Sequence, residues 1–276
     1  MTVAKKFHLA PKKSWGQNFL QDESVLKNIV ASLVLRPDDV VLEIGAGHGE
    51  LTSFLTTSKN KVLAVERDRD LLPTLRAKFA TMPHVELLEE NALQIRYEEV
   101  CQRHDTKLVV VGNLPYQLSG RLLVNISLVP HCVSKAVFMV QHEVAMRLVA
   151  TAGSEDYGLL SVLVQKTFSP SYLFKVANTA FYPRPKVDSA VVMLVPHAVK
   201  HLDKEHSQQF MRVAKIALQA RRKTLLNNLC GGLGKDKETI RGIIQILSWD
   251  EKRRAETLSV EEFEKLSDTL RQHNLL

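Results

Sequence analysis

The sequence predicts an α/β protein in which a doubly wound, mainly parallel sheet is followed by a smaller domain made only of helices. Three observations support this prediction. Seven short apolar strand candidates occur before residue 196, helical patterns separate most of them, and from about residue 202 the pattern is helical to the end. We therefore expect residues 1–198 to form the sheet domain and residues 199–276 to form the helical domain.

The elements of the first half alternate in type. A basic arm, residues 1–16, precedes an amphipathic helix whose apolar positions recur between Val25 and Val34. Five strand candidates follow with helical segments between them: Val40 to Ile44, Lys61 to Val65, Val85 to Leu88, Lys107 to Val111 and Lys135 to Val140. Strands that alternate with helices imply right-handed crossovers and a parallel sheet.

Two further strand candidates, Tyr172 to Val176 and Ala190 to Val195, flank a proline-rich loop, and Pro196 ends this region. The segment after about residue 202 contains no strand candidate.

Composition limits the function. Of the 276 residues, 45% are hydrophobic and 24% are charged, which is typical of a globular protein, and the net charge of +7 suits a polyanionic partner. The three cysteines, Cys101, Cys132 and Cys230, have no paired spacing, which argues against a disulfide framework or a zinc site. No secretory signal and no apolar run of membrane-spanning length is present, so we expect a soluble, cytoplasmic protein without membrane contact.

A glycine-rich segment, Glu43 to Gly49 (EIGAGHG), joins the first strand to the next helix. Glycines at this point let the backbone approach a ligand, and Glu66 at the end of the second strand is placed to accept hydrogen bonds from ribose hydroxyls. The spacing is GxGxG, whereas dinucleotide-binding loops have GxGxxG. The acid at Glu43 disfavours a pyrophosphate and tolerates a cation, so S-adenosyl-L-methionine is favoured over a dinucleotide; a glycine turn without a ligand is the alternative.

A second segment, Val111 to Tyr116 (VGNLPY), follows the fourth strand. In a doubly wound sheet ligands bind at the carboxyl ends of the strands, so Asn113 is expected beside Gly45 and Glu66. The Asn113 side-chain oxygen and the Leu114 carbonyl can grip both N–H groups of an exocyclic amine, Pro115 fixes the backbone, and Tyr116 can stack on a base. Alternatively, Asn and Pro simply end the strand.

These motifs together resemble the family of ribosomal RNA small-subunit adenine N6,N6-dimethyltransferases. The matching segments run in family order across about residues 12–230: GQNFL at 16–20, Glu43 to Gly49, Asn113 to Tyr116, QHEVAMR at 141–147, FYPRPKVDS at 181–189 and RRKT at 221–224. The resemblance implies a Rossmann-like S-adenosylmethionine-dependent methyltransferase domain with a mainly parallel seven-stranded sheet and a helical C-terminal domain that recognises RNA.

The resemblance also implies an activity and a substrate. The expected enzyme methylates N6 of two adjacent adenosines, twice each, near the 3′ end of 16S rRNA in the small ribosomal subunit and acts in ribosome biogenesis, as a monomer. Two alternatives stay open. One is a large-subunit rRNA methyltransferase of the antibiotic-resistance type, which Leu114 and the long helical tail disfavour; the other is a non-catalytic assembly factor.

The resemblance assigns expected roles to single residues. Gln17, Asn18 and Leu20 would cover the methionine end of the donor. Gly45 and Gly47 would place their backbone against the donor, and Glu66 would bind its ribose. Asn113 would also border the donor. The family's acid after the third strand corresponds to Asn91 here, so either Asn91 or Glu90 would contact the donor adenine.

Phe181 would stack on the second face of the target base opposite Tyr116, or it is a core aromatic at a strand end. Arg221, Arg222 and Lys223, with Lys12 and Lys13 of the basic arm, would contact RNA phosphates; a solvated position without an RNA contact is the alternative for all five. His142 and Glu143 do not form a HExxH motif, and no metal site is predicted.

Overall fold

The computed structural model describes residues 17–198 and 203–276, and these fall into two compact units. The first unit contains the described residues up to Ala145 together with Ser169–His197. The second contains Met146–Phe168 and the described residues from Ala198 onward.

The first unit is built on a seven-stranded sheet in the order β4-β3-β2-β5-β6-β9-β7. The strands are β1 Phe19–Leu20, β2 Val40–Ile44, β3 Lys61–Glu66, β4 Val85–Glu89, β5 Leu108–Asn113, β6 Val133–Gln141, β7 Phe168–Val176, β8 Phe181–Tyr182 and β9 Ser189–Pro196. Strands β2 to β6 pair in parallel, whereas β6 and β9 are antiparallel. The predicted fold class is confirmed, and all seven predicted strands lie in this sheet.

Helices connect these strands: α1 Glu23–Leu33, α2 Glu50–Leu55, α3 Leu72–Phe79, α4 Tyr97–His104, α5 Ser119–Ser127 and α6 His142–Val149. The predicted first helix is present for clear local reasons. Asp22 caps it by accepting hydrogen bonds from the backbone N–H groups of Ser24 and Val25, and Leu26, Ile29 and Leu33 bury one face.

The centre of the sheet is packed tightly at Gly112. A Cβ atom there would lie 2.6 Å from the carbonyl oxygen of Ile44 on the neighbouring strand. All five residues of β2 and the first five of β5 are buried, as expected for strands covered on both faces. A glycine at this position therefore lets β5 lie close to β2 near the carboxyl ends of both strands.

Strands β1 and β8 form a separate two-stranded antiparallel sheet in which Leu20 faces Phe181. This pairing brings the segment before α1 next to the segment before β9. Neither of these two-residue strands was predicted, because they are too short to show a periodic pattern.

The second unit is helical: α7 Leu159–Gln165, α8 Lys204–Ala217, α9 Leu225–Leu233, α10 Lys237–Ile246 and α11 Val260–Gln272. Asp203, Thr224, Asp236 and Ser259 cap the last four by accepting hydrogen bonds from backbone N–H groups. No helix among the residues described here is both long and apolar enough to cross a membrane.

The two compact units differ from the predicted domain bounds at residues 146–168. Residues 146–168 group with the C-terminal helices because α7, whose residues from Ser161 to Val164 are buried, packs against α8 and α11. The bounds 1–198 and 199–276 stay a prediction, and we propose that the helical domain also includes residues 146–168.

Candidate active site

A cavity of about 330 Å³ lies at the carboxyl ends of β2 to β5, within the volume range of small-molecule sites. Five short segments of the first unit line it: Gln17–Phe19, the residues Ile44, Gly45 and Gly47, Val65–Arg67, Glu90–Ala92 and Asn113–Leu118. It therefore brings together all predicted donor-binding residues except Leu20. Leu20 is buried and lines a smaller adjoining cavity of about 40 Å³ that shares Phe19, Gly45, Gly47 and Asn113 with the first.

The glycine loop folds tightly above β3. Gly45 and Gly47 have φ angles of +79° and +60°, which L side chains rarely adopt. The N–H groups of Gly45 and Ala46 both donate to the Val65 carbonyl at 3.0 Å, and that of Gly47 donates to Glu66 Oε2 at 2.8 Å. The loop presents its backbone to the cavity with no Cβ atom at the two glycine positions.

Glu66 holds this loop in place. Its side chain is 8% exposed, and its oxygens accept hydrogen bonds from the backbone N–H groups of Gly47, Arg67 and Asp68 at 2.8 Å each. Burial raises the pKa of Glu66, and these three hydrogen bonds oppose the rise. A carboxylate offers about four acceptor positions, so Glu66, which lines the cavity, keeps capacity for one further donor such as a ribose hydroxyl.

Glu43 is a buried acid behind the glycine loop, in the smaller cavity. It is 1% exposed and its Oε2 accepts a hydrogen bond from the Thr52 hydroxyl at 2.6 Å. Burial raises the pKa of Glu43 to about 7; the Thr52 bond offsets part of the rise, and the like charges of Glu50 and Glu66 add to it. The sequence interpretation used Glu43 only to choose between ligands, although an acid inside a buried strand is itself a signal of a site.

Asn113 ends β5 with its side-chain amide oriented. Its Nδ2 donates to the carbonyl oxygen of Asn18 at 2.9 Å, so the amide nitrogen is engaged by the chain itself. The side-chain oxygen remains available as an acceptor in the cavity that Asn113 lines. The position of Asn113 next to Gly45 and Glu66 is the predicted one.

The backbone after Asn113 offers a second acceptor. The Leu114 N–H donates to the Met139 carbonyl at 3.1 Å, and the Pro115 carbonyl accepts from Leu118 and Ser119 at 2.9 and 3.0 Å in the first turn of α5. The Leu114 carbonyl, in contrast, accepts no hydrogen bond from any described residue. The carbonyl predicted to accept from an amine is therefore one that none of residues 17–198 and 203–276 engages as a donor.

Tyr116 lines the cavity with a fixed hydroxyl. Its phenol oxygen is 2.7 Å from the hydroxyl oxygen of Ser189, and either atom can be the donor. Burial raises the pKa of Tyr116, and the Ser189 contact offsets only part of that rise, so the ring stays neutral. It can stack, but it does not serve as a proton acceptor at neutral pH.

Phe181 does not line either cavity. It is 4% exposed, pairs with Leu20 between β8 and β1, and belongs to the apolar core of the first unit. The structure thus places Phe181 as a core aromatic would be placed. Its stacking role opposite Tyr116 stays a prediction.

Asn91 and Glu90 both line the cavity. The Asn91 side-chain oxygen also accepts from the Leu93 N–H at 3.1 Å, capping a short 3-10 helix. Which of the two contacts a donor adenine stays open. Sequence reasoning did not select Arg67 and Gln117 as lining residues, because neither belongs to a recognisable motif.

The basic run predicted to bind RNA lies between α8 and α9. Arg221, Arg222 and Lys223 are exposed, and buried Asn228 shapes their loop by donating from Nδ2 to the carbonyls of Ala217 and Ala220. Their RNA-binding role stays a prediction, whereas Lys12 and Lys13 lie outside the described residues.

Comparison with known proteins identifies relatives over nearly the full chain. A family model described as ribosomal RNA adenine dimethylase matches residues 9–271. Proteins named ribosomal RNA small subunit methyltransferase A are similar to it: that of Pelotomaculum thermopropionicum is 39% identical, covering 97% of this chain and 94% of the relative, and that of Geobacter sulfurreducens is 41% identical, covering 94% and 95%.

Solved structures share the fold. A dimethyladenosine transferase from Plasmodium falciparum superposes with a TM-score of 0.73 at 24% identity, covering 93% of this chain and 98% of the other. The 23S rRNA methyltransferase ErmE superposes with a TM-score of 0.63 at 23% identity, covering 92% and 100%. From the match to the family model and the identity to full-length relatives, the chain belongs to the ribosomal RNA adenine dimethylase family.

Proposed function

We propose that this chain is an enzyme that methylates N6 of two adjacent adenosines near the 3′ end of 16S rRNA, giving N6,N6-dimethyladenosine, with S-adenosyl-L-methionine as the methyl donor. The observation that carries the proposal is the pair of acceptors at the end of β5. The Asn113 amide is oriented by Asn18, the Leu114 carbonyl accepts from no donor among the described residues, and both residues line the cavity.

The cavity fits the donor in shape and charge. Gly45 and Gly47 let a ligand lie against the backbone, and Glu66 retains an acceptor position for a ribose hydroxyl. The buried acid Glu43, which suits a cationic ligand when it is ionised, lines the smaller adjoining cavity behind the two glycines. Gln17 and Asn18 border the same space, and Gln17 is held by a 3.0 Å hydrogen bond to Asp68. When bound, S-adenosylmethionine supplies a methyl group activated by its positively charged sulfur.

The chain's own residues orient the acceptor nitrogen. The lone pair of an adenine amine is delocalised into the ring, so the amine is a poor nucleophile. Hydrogen bonds from its two N–H groups to Asn113 Oδ1 and the Leu114 carbonyl favour a more tetrahedral nitrogen, and Tyr116 stacks on the base. Neutral Tyr116 takes no proton, so the proton that the amine loses passes to water.

The substrate assignment rests on the relatives and on charge. The relatives that share 39% and 41% identity act, by their names, on the small subunit, whereas ErmE shares 23%. The exposed residues Arg221, Arg222 and Lys223 suit RNA phosphates. We propose that the enzyme works as a monomer on RNA within the small subunit and therefore in the cytoplasm.

The test is a comparison of purified subunits. The protein is incubated with labelled S-adenosylmethionine and either small or large ribosomal subunits from cells that lack the modification. Label in small-subunit RNA alone is expected. Label in the large subunit alone would assign the antibiotic-resistance type of activity, and donor binding by calorimetry without transfer to either subunit would leave an assembly factor.

A further inference from the structure

The hydroxyl of Ser189 and that of Tyr116 connect two segments that are 73 positions apart. We propose that Ser189 is a positioning residue for the proposed reaction: it holds the Tyr116 ring in the orientation in which it stacks on the target base. This inference rests on the proposed function and adds to it a residue that does not itself touch the base.

The geometry ties the ring to a strand. Ser189 is the first residue of β9, is fully buried, and lies opposite Gln141 of β6 in the antiparallel register. Tyr116, in contrast, belongs to the short connection between β5 and α5, with no strand partner of its own. The 2.7 Å contact between the hydroxyls therefore connects the Tyr116 ring, which lies in a loop, to the first residue of the buried strand β9.

Asp188 fixes the backbone from which Ser189 projects. Its carbonyl accepts from the His142 N–H at 3.0 Å, and its Oδ1 accepts from the Asn178 N–H at 3.0 Å. Its Oδ2 lies 2.9 Å from Lys175 Nζ. With three contacts around one residue, the Ser189 hydroxyl has a defined position before Tyr116 meets it.

The orientation of the Tyr116 ring depends on this contact. A tyrosine ring rotates about its χ1 and χ2 bonds, and stacking requires that one face be turned to the ligand. The Ser189 hydroxyl holds the far end of the ring, so the face orientation is set before a base arrives and less freedom is lost on binding. The hydroxyl of Tyr116 thus faces the strand and leaves the ring face for the base.

A double-mutant cycle tests the inference in the full-length protein. Wild type, Ser189→Ala, Tyr116→Phe and the double variant are compared in single-turnover methylation of undermethylated small subunits at saturating donor. Each single change is expected to lower the rate constant about tenfold, and the double change is expected to lower it no further, because both remove the same hydrogen bond. The calorimetric Kd for S-adenosylmethionine is expected to stay at the wild-type value in all three variants.

Controls separate positioning from folding. Ser169→Ala, which changes an exposed serine on β7, is expected to keep the wild-type rate. If Ser189→Ala unfolds at lower temperature, Tyr116→Phe carries the test alone, and a tenfold slower rate with unchanged donor Kd supports the inference.

Three results would overturn the inference while the proposed function stands: multiplicative effects of the two changes, a wild-type rate for Ser189→Ala, or a wild-type rate for Tyr116→Phe. A wild-type protein that binds donor and transfers no methyl group would instead refute the proposed function, and with it this role of Ser189.

Discussion

Replacing Glu43 by Gln is expected to change the pH dependence of both folding and donor binding. The carboxyl is 1% exposed, and burial raises its pKa from 4.5 to about 7. Between these two values the folded state holds a proton that the unfolded state has lost. The free energy of unfolding of the wild type therefore falls as the pH rises from 4.5 to 7 and stops changing on this account above pH 7.

The magnitude follows from the shift. The rise of the pKa from 4.5 to about 7 corresponds to about 3 kcal/mol over the full range, most of which is lost between pH 5 and pH 8. The Gln variant lacks this titration. Any constant cost of burying the amide, including its altered bond with Thr52, cancels when the variant-minus-wild-type difference is compared at the two pH values.

Urea unfolding of both proteins at pH 5 and pH 8 measures this difference. Relative to wild type, the free energy of unfolding of the Gln variant is expected to rise by about 2–3 kcal/mol between pH 5 and pH 8. A difference that stays constant within about 0.5 kcal/mol between the two pH values would refute the assignment of a buried, titrating acid.

Donor binding supplies the second half of the same prediction. A cationic ligand favours the ionised carboxylate, and at pH 6 only about a tenth of Glu43 is ionised when its pKa is 7. The Kd of wild type for S-adenosylmethionine is expected to tighten up to about tenfold more between pH 6 and pH 8 than that of the Gln variant. Titration of the ligand itself is common to both proteins, and parallel Kd profiles would contradict a role for Glu43 in binding.

Three further changes test separate parts of the structure. Gly112→Ala forces a Cβ to 2.6 Å from the Ile44 carbonyl and is expected to lower the free energy of unfolding by about 1–3 kcal/mol in urea titration, whereas Gly120→Ala, with no atom within 4 Å of its Cβ, is expected to cause no such loss. Glu66→Gln replaces a carboxylate that accepts from three backbone N–H groups by an amide that accepts through one oxygen. Calorimetry is therefore expected to show about tenfold weaker donor binding. An unchanged Kd would refute the role of Glu66 in both holding the glycine loop and binding the ribose. Arg222→Ala is expected to reduce the slope of log K against log salt for RNA binding by about 1, and an unchanged slope would argue for a solvated position.

The main sheet was predictable because its strands are apolar runs. Strands buried on both faces read as continuous hydrophobic segments, and glycine-rich turns separate them clearly from helices. Strand β7 shows the limit of this signal: it begins at Phe168, but its first half contains Ser169 and Pro170 and was predicted only from Tyr172. Polar residues hide the start of this edge strand, whose neighbour in the sheet is β9.

The cavity was predictable from strand ends, whereas the contacts within it were not. Asn113, Gly45 and Glu66 were expected together because parallel strands end at one edge of the sheet, and they line one cavity. That Glu66 also accepts three backbone N–H groups depends on the local path of the loop. The burial of Phe181 depends on its pairing with β1, a contact across 161 positions that no local pattern reveals.

The most direct test of the account is the single-turnover rate of N6,N6-dimethyladenosine formation with Asn113→Ala. The product is mapped in RNA from undermethylated small subunits at saturating donor, and Asn28→Ala, which changes an exposed asparagine on α1, serves as the matched control. We expect Asn113→Ala to lower the rate about 100-fold or more while the protein stays folded, and Asn28→Ala to leave the rate unchanged. Dimethylation by Asn113→Ala at the wild-type rate would contradict the proposal that Asn113 and the Leu114 carbonyl bind the adenine amine at the end of β5.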